Sequence, residues 1–202
     1  MRLYRMRGRV PARWSWTFLG FWIASVLVVG SILLGRHVIA LPRPDRSSIA
    51  ARALARLRRP ADRGQWLAVH VLYAGCRCSA RVVDQLVQGQ PIANVREIVL
   101  WVGQDPDSRA RLMSAGYRTL EMAPEELRDR YTIEAAPMLA VLDPEDHARY
   151  LGGYTSRKQG PDIQDRKILT ALLAGQHPEE NPVLGCAVSS GLQNTLNPVG
   201  LP

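Results

Sequence analysis

Trp66-Leu-Ala-Val-His-Val-Leu-Tyr-Ala-Gly-Cys-Arg-Cys-Ser-Ala-Arg-Val-Val-Asp-Gln-Leu-Val87 decides how the rest of the chain is read. Trp66–Tyr73 is apolar at every position but His70, the pattern of a central strand covered on both faces. Ser79–Val87 carries Ala80, Val83, Leu86 and Val87 at helical spacing and ends near Gly89 and Pro91. Between the two lie Cys76 and Cys78, one residue apart. A strand that delivers cysteines to the start of a helix places them where unpaired backbone N–H groups favour thiolate over thiol. Arg77 and Arg81 add positive charge beside them. The chemistry indicated is that of thiols.

Outward from this segment the elements alternate. Val95–Val102 is a second apolar strand, and Asp105-Pro106 supplies a cap and a first-turn proline for a helix that Gly116 follows. Tyr117–Met122 reads as a short strand. Pro124–Tyr131 reads as a short helix with acids early and arginines late, matching the helix dipole. Ala135-Ala136-Pro137 then leads into the strand Met138–Leu142, and the turn Asp143-Pro144-Glu145-Asp146 returns the chain through His147–Leu151 as a hairpin. Gly152-Gly153 marks a bulge or tight bend, and Pro161–Ala174 is a last amphipathic helix closed by Gly175. Residues 64–175 thus make one small α/β domain, a mixed sheet with flanking helices, followed by a tail over 176–202.

The amino-terminal part has a different character. No charged residue occurs between Trp14 and Gly35. As a helix this stretch is about 33 Å long, enough to cross a bilayer core, with Trp14, Trp16 and Trp22 suited to one interface. Residues 1–13 form a basic tail with Arg2, Arg5, Arg7, Arg9 and Arg13 and no acid, which favours the cytoplasmic side. The expectation is one transmembrane helix over 14–35, a single pass through a bacterial inner membrane, with the domain facing the periplasm. A cleaved signal peptide ending at Val38-Ile-Ala40 is the alternative. Residues 36–63 read as a basic juxtamembrane connector, broken by Pro42 and Pro44, in which Ser47 or Ser48 caps a short helix from Ile49 to Arg59.

Net charge is +8, yet the excess is local. Residues 1–13 and 36–63 hold 13 arginines, leaving 13 basic and 16 acidic residues over 64–202. The positive charge flanks the expected span, where anionic lipid attracts it. No basic face interleaved with aromatics indicates nucleic acid.

The ordered landmarks resemble those of the thioredoxin-like superfamily, in particular its membrane-anchored extracytoplasmic thiol–disulfide oxidoreductases. The resemblance covers roughly residues 64–175: the strand into Cys76-Arg-Cys78, Ala136-Pro137, the hairpin, Gly152-Gly153 and the closing helix. It implies that Pro137 follows a cis peptide bond, faces the cysteines and, with Ala136, shapes a groove for extended peptides. It also implies catalysis by Cys76 and Cys78 on the thiols or disulfides of exported proteins, without an organic cofactor. Cys76 is the expected nucleophile, being nearer the strand edge and the more exposed, and Cys78 the expected resolving thiol. The family motif is Cys-X-X-Cys; here the spacing is one residue and Gly75 precedes the pair. Residues i and i+2 of a regular helix do not face each other, so pairing would need an irregular first turn.

Three questions stay open at this level. Cys186 is either a resolving thiol on a tail folded over the site or a small buried hydrophobe packing a terminal helix. Cys76 and Cys78 as thiolates also suit Cu(I), which makes a copper chaperone the alternative function. His70 reads as a core residue, while His147 and His177 lack the spacing of ligands. A non-catalytic tethered scaffold is a third possibility. Asp84, Asp105 and Glu134 are acids near the pair, of types more often found as caps or on solvated faces.

Overall fold

The computed structural model describes residues 12–46, 49–89, 91–157, 160 and 162–197, with side chains in the first helix described over 16–31. The basic tail up to residue 11, the capping serines Ser47 and Ser48, and Pro161 lie outside the described residues. The chain divides into two compact units, Met1–Ile39 and Ala40–Pro202.

In the first unit, helix α1 runs from Ala12 to Val38. Trp16, Phe18, Phe21, Trp22 and Leu27 on it are exposed. Among the described residues no helix is long and apolar enough to cross a membrane.

The second unit holds a five-stranded sheet in the order β3-β2-β1-β5-β6. Its strands are β1 (Trp66–Tyr73), β2 (Val95–Val102), β3 (Arg118–Met122), β5 (Met138–Leu142) and β6 (Ala148–Gly152). β1 pairs in parallel with β2, and β2 with β3, whereas β5 runs antiparallel to both β1 and β6. The parallel pairs need crossovers, supplied by helices α3 (Arg77–Gln88) and α4 (Pro106–Ser114); the antiparallel pair β5–β6 needs only the turn at Asp143–Asp146. Asp105 caps α4, its Oδ1 accepting from the Ser108 N–H at 3.0 Å.

Because side chains alternate along a strand, the buried sheet feeds two cores. Leu67, Val69 and Val71 of β1 join Ile98, Leu100, Met138 and Ala140 on one face, closed by Leu54 and Leu127. Leu54 comes from helix α2 (Ile49–Ala55) and Leu127 from helix α5 (Pro124–Tyr131). Ala68 and Leu72 join Val99, Trp101, Leu139 and Val141 on the other, closed by Val82 and Leu86 of α3 and by Leu169 and Leu172 of helix α6 (Asp165–Leu173). This is the mixed α/β sheet with helices on both faces that the order of elements predicts.

The unit extends beyond 64–175 at both ends. Leu41 and Val183 form a β-bridge, with the Leu41 N–H donating to the Val183 carbonyl at 2.8 Å. Strand β7 (Cys186–Ala187) pairs antiparallel with β4 (Ala135–Ala136), and helix α7 (Ser190–Leu196) follows, its Leu192 and Leu196 packed against the first core. Ser189 caps α7 through its hydroxyl, which accepts from the Leu192 N–H at 3.2 Å. Gly152-Gly153 is required by this tail: a Cβ on Gly153 would run into the Pro182 carbonyl.

Candidate redox site

Cys76 is the residue before α3, with extended backbone at φ −112° and ψ 117°. Its N–H donates to the Tyr73 carbonyl at 3.1 Å, and its carbonyl accepts from the Ala80 N–H at 3.0 Å. The Ser79 hydroxyl reaches back to accept from the Tyr73 N–H at 3.0 Å, fixing the turn between β1 and α3. The strand-to-helix junction thus holds Cys76 at the positive end of α3.

Cys76 forms a disulfide with Cys186, not with Cys78. The Cα atoms are 5.9 Å apart, inside the range a disulfide spans. Cys78 is a free, half-buried thiol. Helix geometry explains the choice: with α3 regular from Arg77 onward, Cys78 lies on the first turn and points away from Cys76. The expectation that Cys76 is the more exposed thiol is also corrected. It is 1% exposed, because the tail lies over it.

The peptide bond between Ala136 and Pro137 is cis. Cys76 Sγ lies 3.7 Å from the Ala136 carbonyl oxygen, so the thiol of the reduced form has an acceptor at hand. Ala136 faces Cys186 across the β4–β7 pair, and the Val188 N–H donates to the Glu134 carbonyl at 2.7 Å. The tail is therefore zipped onto the strand that leads into the cis proline.

A cleft of about 20 Å³, room for roughly one water, opens beside Cys78. Pro137, Tyr154, Arg81, Ile163 and Leu184 line it with Cys78. Behind Tyr154 lies a buried polar chain. His70 Nδ1 is 2.8 Å from the Tyr154 hydroxyl and His70 Nε2 is 3.1 Å from Glu97 Oε2. Glu97 Oε1 accepts from the Ile92 N–H at 2.8 Å. With Glu97 ionised and able only to accept, the Nε2 hydrogen is directed at it, and Nδ1 meets the Tyr154 hydroxyl, which also has the Met138 carbonyl 3.5 Å away.

Burial pushes the Glu97 carboxyl upward, but the hydrogen bond and charge of His70 outweigh it and hold the group below its ordinary value. Burial drives the Tyr154 hydroxyl well above the usual phenol range, so it acts as a neutral donor. Asp165 is raised by burial, with His70 and Arg166 opposing, and its Oδ1 has no hydrogen-bond partner.

Sequence reading took His70 as a core residue, and it is buried. What that reading lacked was its chain to Glu97 and Tyr154. The signal was present in β1 and β2: each has an interior polar residue, and the register sets Val99 opposite His70, leaving Glu97 on the same face two positions away. The acids proposed near the cysteines go elsewhere. Asp84 pairs with Arg111 on the surface at 2.8 Å, Asp105 caps α4, and Glu134 accepts from the Ser189 hydroxyl. Among the described residues no group of three or more His, Cys, Asp or Glu is placed to hold a metal ion.

No protein-family model matches the chain, and no curated protein does. Solved structures do. An uncharacterized conserved protein from Geobacillus kaustophilus and a hypothetical protein from Sinorhizobium meliloti 1021 are each 16% identical to this chain with a TM-score of 0.51. The matches cover 75% of this chain and 90% and 91% of those chains. A secreted Mycobacterium tuberculosis disulfide oxidoreductase, described as homologous to E. coli DsbE, is 13% identical over 57% of this chain and 84% of its own, with a TM-score of 0.39. These identities speak to the fold alone.

Proposed function

We propose that the protein is a membrane-anchored thiol–disulfide oxidoreductase that acts on exported proteins, with Cys76 as nucleophile and Cys186 as resolving thiol. One observation carries the reading: the Cys76–Cys186 disulfide lies at the amino end of α3, beside the cis bond of Ala136–Pro137. Cys76 as a thiolate is stabilised by the helix end and attacks a partner disulfide, and Cys186 then attacks Cys76 Sγ to release the partner. This moves the resolving role from Cys78 to Cys186. Cys78, at the mouth of the Tyr154 cleft, stays outside the exchanging pair.

The anchor is the uncharged run 14–35, and the basic residues on either side of it favour a bacterial inner membrane with the domain in the periplasm. An oxidising compartment also suits a resting disulfide. No cofactor is needed for exchange. Cu(I) binding by Cys76 and Cys78 would require the disulfide to be reduced first, and the helix sends the two thiols in different directions.

The test is trapping. Cys186→Ser should accumulate mixed disulfides with exported proteins in cells, Cys76→Ser should form none, and Cys78→Ser should behave as the unaltered protein. Trapping by Cys78→Ser in place of Cys186→Ser would return the resolving role to Cys78. No trapping by any variant would remove the activity.

A further inference from the structure

The tail shows what the groove beside the cis proline accepts. Residues 183–188 read Val-Leu-Gly-Cys-Ala-Val; Val183 bridges Leu41, the chain bends at Gly185, and Cys186 and Ala187 pair with Ala136 and Ala135 of β4. Val183 and Val188 are fully buried, and Leu184 forms part of the cleft wall with Pro137 and Tyr154. Gly185, the residue before the cysteine, has no free space. A Cβ there would overlap the Ala136 carbonyl oxygen and come within 2.6 Å of Pro137 Cδ. Both obstacles are rigid, one a backbone carbonyl and the other a proline ring, so neither can swing aside as a flexible side chain would.

From this we infer that the site selects partner proteins carrying a Gly-Cys pair within an extended, apolar strand, and that the tail occupies the seat such a strand would take. The inference rests on the proposed exchange activity, since it names the partner that reaches Cys76. Any partner cysteine bonded to Cys76 Sγ must place its sulfur where Cys186 now sits. The strand direction and β4 pairing then put the preceding residue over Ala136–Pro137, where only hydrogen fits in place of a side chain.

The exchange balances without a further reagent. In the reduced protein the Cys76 thiolate attacks the Gly-Cys sulfur of a partner disulfide. The partner's second sulfur leaves as a thiolate and takes a proton from water. The Cys186 thiolate, having given its proton to water, then attacks Cys76 Sγ, the mixed disulfide breaks, and the partner leaves as a dithiol once its second thiolate is protonated. Two electrons pass from Cys76 and Cys186 to the partner. The oxidising direction is the same sequence reversed. Cys186 approaches Cys76 Sγ in line, opposite the partner sulfur it displaces, and the tail takes the vacated seat once the partner has left.

The experiment uses the full chain in detergent, as the Cys78→Ser, Cys186→Ser variant, so that Cys76 alone reacts. Two capped peptides, Val-Leu-Gly-Cys-Ala-Val and Val-Leu-Ala-Cys-Ala-Val, are each supplied as the mixed disulfide with thionitrobenzoate. Attack on the peptide sulfur releases thionitrobenzoate and leaves a peptide–Cys76 adduct, read by absorbance and by mass. The glycine peptide should react about tenfold faster or more, the scale of forcing one extra methyl into a close-packed site. Equal rates with adducts in both cases would overturn the Gly-Cys selection and leave the exchange activity standing. No adduct from either peptide, while iodoacetamide still labels Cys76, would overturn the exchange reading itself. As an independent arm, Gly185→Ala in the otherwise unaltered chain should shift the Cys76–Cys186 equilibrium against glutathione about tenfold toward the dithiol. An unchanged equilibrium would overturn the claim that position 185 admits no side chain.

Discussion

His70 Nδ1 lies 2.8 Å from the hydroxyl of Tyr154, which places a buried histidine one side chain away from the cleft that holds Cys78. The other ring nitrogen meets Glu97, so a carboxylate, an imidazole and a phenol form one line from the core to the redox site. Such a chain is stable only while each member has its partner.

Removing its middle member should therefore be costly. His70→Ala leaves Glu97 buried without its principal partner, and a loss of about 3 kcal/mol is expected by chemical denaturation. The double variant His70→Leu, Glu97→Leu should lose less than His70→Ala alone, because no charge is stranded. A larger loss in the double variant would show that the pair itself, and not the orphaned carboxylate, sets the cost.

The two buried acids on this side respond to pH in opposite senses. Glu97 is held below its ordinary value in the folded protein, so its contribution is present above the unfolded value and is lost as pH falls through the folded one. Asp165 is raised, so its contribution is present below the unfolded value and is lost as pH rises through the folded one. Asp165→Asn should thus raise stability at neutral pH by about 1 kcal/mol and make little difference in acid. Denaturation midpoints across pH for the two proteins check both signs.

Cutting the tether between Cys76 and Cys186 should loosen the whole unit. The cysteines are 110 residues apart in sequence, and closing a loop of that length stabilises the folded state by up to about 5 kcal/mol through the unfolded chain. Reduction, or Cys186→Ala, should lower the melting temperature and make Cys76 open to alkylation while the sheet persists. If Cys76 stays protected after reduction, the tail is held by Val183, Val188 and the β4–β7 pair alone.

The anchor can be tested apart from the chemistry. Membrane association resistant to carbonate, with an export-dependent reporter active after Pro202, is expected. A mature chain beginning near Leu41 would mean that 14–35 is a cleaved leader.

Much of the fold was legible from local pattern. Strands over 66–73, 95–102 and 138–142 and the helix over 124–131 fall where continuous apolar runs and charge order place them. The thiol position at the head of α3 follows from the strand–cysteine–helix order, whereas the cis bond before Pro137 was implied only by the resemblance to the thioredoxin-like superfamily. The extent of the unit was not, because the stretches around Leu41 and Val183 carry only weak local signals and owe their burial to each other.

What the sequence by itself determined is the run of elements and the delivery of cysteines to a helix start, since both follow from side-chain periodicity and nearest-neighbour chemistry. Which cysteines pair was decided only in three dimensions. Cys76 and Cys78 are neighbours in the chain but are turned apart by helix geometry, whereas Cys186, 110 residues on, is brought into reach by two β4–β7 backbone pairs and a glycine small enough to pass over Pro137. The same holds for His70, the polar residue of β1, and Glu97, which follows Arg96 in β2: only strand register makes them partners.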